Sequence, residues 1–397
     1  MKNGFEKHLL RGCFSLLIIL GCHTASAQSF EWKANAYGFF DNSEYGSIPG
    51  IRSQTMSGFR ISPEVGFRYK DISLFAGVHL QTEFGSPKFL DYTSFTGYFH
   101  YTTPHHHFLF GAFPREHLLD NYSDFFIRDS FNYYRPNITG LFYKLSGENN
   151  FISLWIDWVG SQSPVTREMF FAGLSGEQRW NWFFLALNGY YFHYANTRPK
   201  SGDGVVHDNG QGQVGVGIDF SHRAQHLHKM RLGAYFMMGY ECKRDHATPV
   251  KMPMGLVVDL HAQYWRIGTR TLYYYGQERF TVPTDNFSMT YWGTPLLRAK
   301  SYLESQWYIS LFKNSIVEAK AAFVFHLQGA KFGCQQIVSL AVNLNGSVNG
   351  KKTMEDESVD HYSFNFLPAD ASLKDEYGWG KKYEERKATS RSGDRTK

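Results

Sequence analysis

The sequence predicts an all-β chain that closes into a transmembrane antiparallel barrel of about 16 strands, within a range of about 14 to 18. Three observations support this fold class. Apolar and polar residues alternate over most of the chain, the connections between these segments alternate between short and long, and the N-terminus carries an apolar segment typical of export. Aromatic residues make up 17% of the chain and the mean hydropathy is −0.38, which argues against a bundle of membrane helices.

The first 27 residues are predicted to be a signal peptide. Basic residues precede an apolar run at residues 14–20, and Ala25, Ser26 and Ala27 provide a small-residue cleavage site before Gln28. The run is too short to remain as a membrane span. A cut before Cys22 is the alternative, because "IILGC" resembles a lipoprotein box, so the sequence leaves the lipidation of Cys22 open.

The alternation that predicts strands is clearest in residues 58–85. Odd positions are apolar up to Tyr69, and after Asp71 the even positions from Ile72 onward are apolar. A period of two is typical of a strand with one apolar face. The same period returns in residues 152–158, 214–220, 230–238, 254–264, 317–325 and 338–344. These segments predict a barrel over residues 28–345.

The predicted connections fall into two classes. Short ones lie near residues 70–72, 102–107, 146–150, 179–181, 221–229, 266–268 and 313–315. Long ones lie near residues 45–54, 85–90, 116–137, 161–166, 196–211, 243–252, 277–297 and 328–333. A soluble sheet with one buried face would also alternate, but it has no reason to collect its short turns at one end. A membrane barrel does collect them there.

The remaining sequence features point to no further chemistry. Residues 346–397 carry many charges and few apolar residues, which predicts a largely disordered tail. Cys242 and Cys334 remain after signal cleavage and are interpreted as free thiols. Residues 105–107 are three histidines on alternating faces, so no metal site is predicted, and no cofactor is expected. The net charge of +5 is interleaved, which excludes a nucleic-acid partner.

From residue 28 to about residue 345 the chain resembles the porin-like outer-membrane β-barrel proteins of Gram-negative bacteria, through its strand pattern and its alternation of loop lengths. The resemblance implies export to the bacterial outer membrane, a lipid-facing exterior, short periplasmic turns, long outer loops and a periplasmic tail. It also implies a homo-oligomer and leaves room for a periplasmic partner of the tail.

The function predicted on this basis is a channel for passive diffusion of small hydrophilic solutes, with no enzyme activity and no catalytic residues. The polar face would line the lumen, and its charges of both signs predict weak selectivity. Pairing of these groups across strands is the simpler alternative for any one of them. The predicted lumen residues are Arg60, Glu64, Arg68, His79, Glu83, Arg115, Asp157, Asp219, Arg231, Asp259, His261 and Gln263.

The longest predicted outer loop follows the fifth strand and resembles the third loop of general porins, which folds inward. This resemblance implies a constriction formed by Asp120, Asp124, Arg128 and Asp129. An outward loop that covers the surface is the alternative. The sequence does not decide between them, nor whether the lumen is open or plugged.

Two other function classes remain as alternatives. The barrel could anchor an accessory of an envelope assembly or secretion system, with the tail docking to a partner. It could also be a barrel hydrolase, which would need a serine and a histidine on neighbouring strands at the outer lipid boundary and a third group that orients the histidine. His193, His261 and His326 lie at a suitable level, but the sequence assigns no serine to them.

Overall fold

The computed structural model describes residues 28–348, except residues 47, 49–50, 124, 201–203, 222, 225, 246 and 285–289. The predicted signal peptide lies outside the described residues, as does the tail from residue 349. Strand pairing continues to Val348, beyond the predicted barrel end at Asn345. Within the described residues, no helix is long and apolar enough to cross a membrane.

The described residues form sixteen antiparallel strands, so the predicted all-β barrel of about 16 strands is confirmed. The strands are β1 (Gln28–Glu44), β2 (Gln54–Tyr69), β3 (Ile72–Glu83), β4 (Tyr92–Thr102), β5 (His106–Pro114), β6 (Asn137–Ser146), β7 (Asn150–Gly160), β8 (Met169–Trp180), β9 (Phe183–Tyr194), β10 (His207–Asp219), β11 (Leu227–Lys243), β12 (Met254–Tyr264), β13 (Ile267–Gly276), β14 (Ser301–Lys313), β15 (Val317–Gln328) and β16 (Lys331–Val348).

The sheet closes on itself. Each strand pairs with its neighbours in sequence, and β1 pairs with β16 in a register that runs from Phe30 opposite Val348 to Glu44 opposite Cys334. Closure gives every strand two partners, so no row of backbone N–H and C=O groups faces hydrocarbon unpaired. This is the condition that a β-structure must meet in a lipid bilayer.

The two faces of the wall have opposite character. On β2, for example, the outward side chains of Val65 and Phe67 are 51% and 64% exposed, whereas the inward side chains of Arg60 and Glu64 are buried. The other strands continue this alternation around the barrel. The apolar exterior therefore matches lipid and the polar groups face the interior.

The connections have the predicted asymmetry with one exception. β15 and β16 are joined by the tight turn Gly329–Ala330, where a long outer loop over residues 328–333 was predicted. Gly329 adopts a positive φ of 62°, which glycine tolerates without strain. The polar sequence at this turn suggested a loop, but the backbone pairing of Gln328 with Lys331 continues both strands to the turn.

Two long connections fold into the lumen. The first, residues 115–136, contains the short helix α1 (Asp129–Tyr134), and the second, residues 277–300, contains a 3-10 turn at Pro295–Leu297. Phe131 of the first packs edge-on against Trp292 of the second at 4.7 Å between ring centroids. We call these segments the inner loops.

The inner loops are fixed by hydrogen bonds to each other and to the wall. Arg128 N donates to Trp292 O at 3.1 Å, and Gln211 Nε2 of β10 donates to Phe125 O at 3.1 Å. Glu241 of β11 accepts the backbone N–H groups of residues 280–282. The largest apolar core of the molecule lies inside the barrel and includes Phe125.

Candidate functional site

The predicted lumen residues lie on the inner face, with Glu83 exposed at the outer end of β3. Several of them form ion pairs with one another or with neighbouring strands. The pairs are Arg115 with Asp157 at 2.5 Å, Arg231 with Asp219 at 3.2 Å and with Glu177 at 2.6 Å, Arg270 with Asp259 at 3.2 Å, and Arg68 with Glu31 at 2.6 Å. These contacts match the pairing alternative.

The other inward-facing residues of this set bind neutral partners. His261 and Gln263 both contact the hydroxyl of Tyr308, at 3.1 Å and 2.8 Å. Tyr98 donates to Glu64 at 2.8 Å, and Ser62 lies 2.5 Å from His79. Most of the inner polar face is therefore engaged in contacts within the protein.

The residues of the predicted constriction lie in the first inner loop. Asp120 contacts His117 Nδ1 at 3.0 Å, and Arg128 lies over the ring of Trp292 at 5.9 Å. Asp124 lies outside the described residues, and Asp129 begins α1 with a side chain that is not described. The loop folds inward, but the described side chains pack against aromatic groups and a histidine, so a constriction by charged groups stays a prediction.

The three candidate histidines have different environments. His261 and His326 face the interior, and His326 Nδ1 lies 2.7 Å from the hydroxyl of Tyr302. His193 faces outward, because it continues the lipid-facing row of β9 that begins with Phe183, Leu185 and Leu187. Only the outward position can meet a molecule that is itself embedded in the bilayer.

In a bilayer, His193 is expected at the outer boundary of the hydrocarbon layer. A tilted strand crosses the hydrocarbon layer in about 9–11 residues, so β9 reaches the outer boundary near Tyr191 and His193 if Phe183 lies at the inner one. Tyr191 is consistent with this boundary, since tyrosines are concentrated where hydrocarbon meets water. The site is therefore at the level where acyl chains join polar headgroups.

His193 is oriented by a buried carboxylate on the next strand. Asp208 of β10 is directly opposite His193 in the register, and its Oδ1 lies 2.7 Å from His193 Nδ1. Tyr191 donates to the same oxygen at 2.7 Å, and Arg244 Nε donates to Asp208 Oδ2 at 2.6 Å. We call these four residues the outer-rim cluster.

The cluster determines which nitrogen of His193 is available for chemistry. A carboxylate accepts hydrogen bonds, so Nδ1 carries the proton and Nε2 keeps its lone pair. The Asp208 side chain is 1% exposed, whereas that of Arg244 is 54% exposed. The hydrogen bond and charge of Asp208 raise the pKa of Arg244 above its ordinary value, which keeps this guanidinium charged at the rim. A proton acceptor and a cation thus lie side by side.

The outer wall below the cluster carries few side chains. In the register, Gly210 is opposite Tyr191 and Gly212 is opposite Gly189. A Cβ added at Gly212 would meet no atom closer than 3.9 Å, so the surface is open at Gly212, whereas Gly210 is buried. The strip runs from the cluster toward the middle of the bilayer.

Sequence reasoning identified His193 but missed Asp208. Residues 196–211 were predicted as a loop, whereas β10 begins at His207. The outward positions of this part of β10 are Asp208, Gly210 and Gly212, which interrupt the apolar alternation. The inward row of Asn209, Gln211 and Gln213 was the signal that could have identified the strand.

Within the described ranges, no group of three or more His, Cys, Asp or Glu side chains is arranged to hold a metal ion. The outer-rim cluster contains one histidine and one carboxylate. A histidine beside a carboxylate can act as a general base.

Comparison with known proteins gives a family match over most of the chain. Residues 22–349 match the family described as "Lipid A 3'-O-deacylase-type". No curated protein sequence matches the chain. The family carries the name of an enzyme activity, so the prediction that the chain is not an enzyme is wrong.

Solved structures of outer-membrane proteins match the chain at very low sequence identity. A loop L8 deletion mutant of OmpT, an outer membrane protein of Vibrio cholerae, is 11% identical, with a TM-score of 0.49, covering 80% of this chain and 100% of that chain. OpdK of Pseudomonas aeruginosa is 9% identical, with a TM-score of 0.40, covering 80% and 99%. OmpF of Salmonella typhi in complex with daunomycin is 10% identical, with a TM-score of 0.46, covering 81% and 99%. The closed barrel of sixteen strands confirms the predicted resemblance to outer-membrane β-barrel proteins.

Proposed function

The chain belongs to the lipid A 3'-O-deacylase-type family, and from this premise we propose that it is an outer-membrane hydrolase that cleaves an O-linked acyl chain from a lipid A-like glycolipid. The observation that carries the proposal is the contact of His193 Nδ1 with Asp208 Oδ1 at 2.7 Å on the outward face. An acyl group on a sugar oxygen is an ester, and histidine–carboxylate pairs serve ester hydrolysis as general bases.

The location of the cluster suits a lipid substrate. A glycolipid in the outer leaflet keeps its headgroup in water and its acyl chains in hydrocarbon, so its ester bonds lie at the boundary between the two. His193 and Tyr191 lie at that level, with the lipid-facing side chains of Leu185 and Leu187 below them. The substrate can reach the cluster by lateral diffusion, without leaving the membrane or entering the lumen.

In the proposed reaction, water is the nucleophile. The described partners of the His193 ring are Asp208 and the ring of Phe170, so no protein hydroxyl is assigned. Nε2 takes a proton from water as the oxygen attacks the ester carbonyl. Asp208 stabilises the resulting imidazolium through the Nδ1–H hydrogen bond.

The intermediate then collapses to products. The bond between the carbonyl carbon and the sugar oxygen breaks, and the imidazolium returns its proton to the departing sugar oxygen. One water is consumed, and a fatty acid and a free sugar hydroxyl are formed. Arg244 remains about half exposed beside the site, so its charge favours an oxyanion or an anionic headgroup there.

The glycine strip offers a path for the acyl chain. Gly210 and Gly212 remove side-chain bulk directly below Asp208, while Met238 and Tyr240 of β11 stand beside them in the register. A chain lying in this strip would bring its ester toward His193. Contact between the acyl chain and the wall would replace its contact with other lipids. The strip would therefore position the ester more than it would increase the affinity for the substrate.

Passive diffusion, the function predicted from the sequence, is less well supported. Phe125 and Phe126 are fully buried within the barrel, and the inner loops pack against each other there. No observation in the described part of the chain favours an assembly accessory. We therefore propose hydrolysis as the main function.

The test uses the full chain refolded in detergent with hexa-acylated lipid A in mixed micelles, and mass spectrometry of the lipid products. The wild type is expected to release one O-linked fatty acid. His193→Gln is expected to reduce the rate by about 10²–10⁴, because it removes the general base.

His105→Gln is the matched control, since His105 lies in an exposed turn at the other end of the barrel and should retain full activity. Heat-dependent gel mobility checks that both variants are folded. Full activity of His193→Gln, or intact lipid A after incubation with the wild type, would overturn the proposal.

A further inference from the structure

A second polar site lies inside the barrel, beneath the first inner loop. A cavity of about 120 Å³ is lined by β1, β2, β3, Arg270 and residues 114–136. An apolar cavity of roughly 150 Å³ is large enough to hold benzene, so this one is of the size of a single small ring. We call it the lumen pocket, and it is separate from the outer-rim cluster.

Several buried polar atoms in the lumen pocket have no hydrogen-bond partner in the protein. They are His79 Nε2, Arg115 Nη1, Ser123 Oγ, Glu64 Oε1 and Glu116 Oε1. His79, Arg115, Ser123 and Glu64 are 3%, 5%, 4% and 3% exposed. Buried polar groups are normally satisfied, so a group of them around one cavity indicates that something polar occupies it.

Hydrogen bonds within the protein fix the side chains of the lumen pocket. Arg115 Nη2 binds Asp157 at 2.5 Å, and Ser62 holds His79 Nδ1 at 2.5 Å. The β2–β3 ladder is interrupted between Ile61 and Glu64, where Pro63 lacks an N–H group, and this interruption lies at the level of the Ser62–His79 contact. The atoms without a partner are therefore held in fixed positions around the cavity.

The chemistry of the lining indicates the class of ligand. Arg60, Arg115 and Arg270 are balanced by Glu64, Glu116 and Asp120, so the charges nearly cancel. A ligand with net charge gains little from such a lining. The unpartnered atoms include both donors and acceptors, and a hydroxyl group satisfies either kind.

We infer that the lumen pocket binds a small neutral polyhydroxylated molecule of monosaccharide size. Hydroxyl groups on several carbons can meet the guanidinium of Arg115, the carboxylates of Glu64 and Glu116 and the imidazole of His79 in turn. Each contact supplies a partner that the protein itself does not provide. This binding does not depend on the hydrolysis proposed for the outer rim.

Access to the pocket is expected from the periplasmic side. A second cavity shares Glu64 and Glu116 with it and continues to Lys33, His107 and Asn345. His107 is opposite Thr102 next to a short turn, and Lys33 is opposite Asn345 near the chain ends of the barrel. On the outer side, the inner loops cover the pocket.

The experiment is isothermal titration calorimetry of the full chain in detergent, with D-glucose and sorbitol as neutral polyols, glycine as a zwitterion and inorganic phosphate as an anion. We expect saturable binding of at least one polyol and none of glycine or phosphate. His79→Gln is expected to weaken polyol binding at least tenfold. His326→Gln, which changes an equally buried histidine elsewhere in the lumen, should leave binding unchanged.

Ser123→Ala is a second variant in case His79→Gln does not fold, and it should weaken binding several-fold. Absence of saturable binding for both polyols would overturn the inference, because water would then be the occupant. Tighter binding of glycine or phosphate than of the polyols would also overturn it. So would unchanged polyol affinity in folded His79→Gln.

Discussion

The buried carboxylate of Asp208 is the residue on which the outer-rim cluster depends. It accepts hydrogen bonds from Tyr191 and His193 of β9 and from Arg244 in the loop after β11. A carboxylate that accepts from three donors holds each of them in one geometry. The orientation of the His193 ring therefore follows from the position of Asp208.

Asp208→Asn is predicted to reduce the rate of deacylation by about 10²–10⁴ with little change in KM, because an amide neither fixes the Nδ1–H tautomer nor stabilises the imidazolium. The measurement is the dependence of the initial rate on lipid A concentration in mixed micelles. Asp245→Asn is the control, since Asp245 accepts the backbone N–H groups of Ala247 and Thr248 in the loop after β11. An unchanged kcat in Asp208→Asn would exclude the orienting role.

The sequence could predict one half of this pair. The period of two along β9 assigns His193 to the outer end of the strand, so its depth in the membrane could be predicted from the sequence. Asp208 could not be paired with it, because their contact depends on the register between β9 and β10 across the long connection at residues 195–206. Register is a tertiary property that the local pattern leaves undetermined.

At the scale of single elements, β10 contributes residues with distinct roles to both faces of the barrel wall. Its inward residues fix the inner loops, since Asn209 donates to Thr290 O at 2.5 Å and Gln211 donates to Phe125 O at 3.1 Å. Its outward glycines form the strip below Asp208. The same strand thus links the filled lumen to the proposed acyl site.

Gly212→Leu is predicted to slow deacylation about tenfold or more while leaving the barrel folded, because a side chain there would occupy the strip and nearby atoms leave it room. The loss should appear mainly as a decrease in kcat, because the strip positions the ester rather than adding affinity for lipid A. Val216→Leu, lower on the same outward row, is the matched control and should keep wild-type kinetics. Equal rates for Gly212→Leu and the wild type would show that the acyl chain lies elsewhere.

The inward fold of the inner loops could not be predicted from the sequence. Their length is evident in the sequence, and the first of them is rich in aromatic residues, namely Tyr122, Phe125, Phe126, Phe131, Tyr133 and Tyr134. Whether those rings pack inward or cover the surface depends on partners such as Trp292 and Tyr302, which are distant in sequence. A local pattern contains no information on that choice.

At the scale of the whole molecule, the barrel was predictable because its cause is local. Each strand repeats the same apolar and polar alternation, and the membrane requires a closed sheet. The function was less predictable, since a polar inner face is common to channels and to closed barrels. The difference lies in the inner loops, where Phe131 and Trp292 pack at 4.7 Å.

This packing predicts the electrical behaviour of the protein. In a planar bilayer the wild type should give no steady conductance steps of general-porin size, because apolar rings and paired charges occupy the lumen. The double variant Phe131→Ala and Trp292→Ala should increase conductance, since it removes the contact between the inner loops. Trp158→Ala, which removes an outward aromatic side chain, is the control and should remain silent. Large steady steps in the wild type would mean that the inner loops leave an open path, and diffusion would then return as the main function.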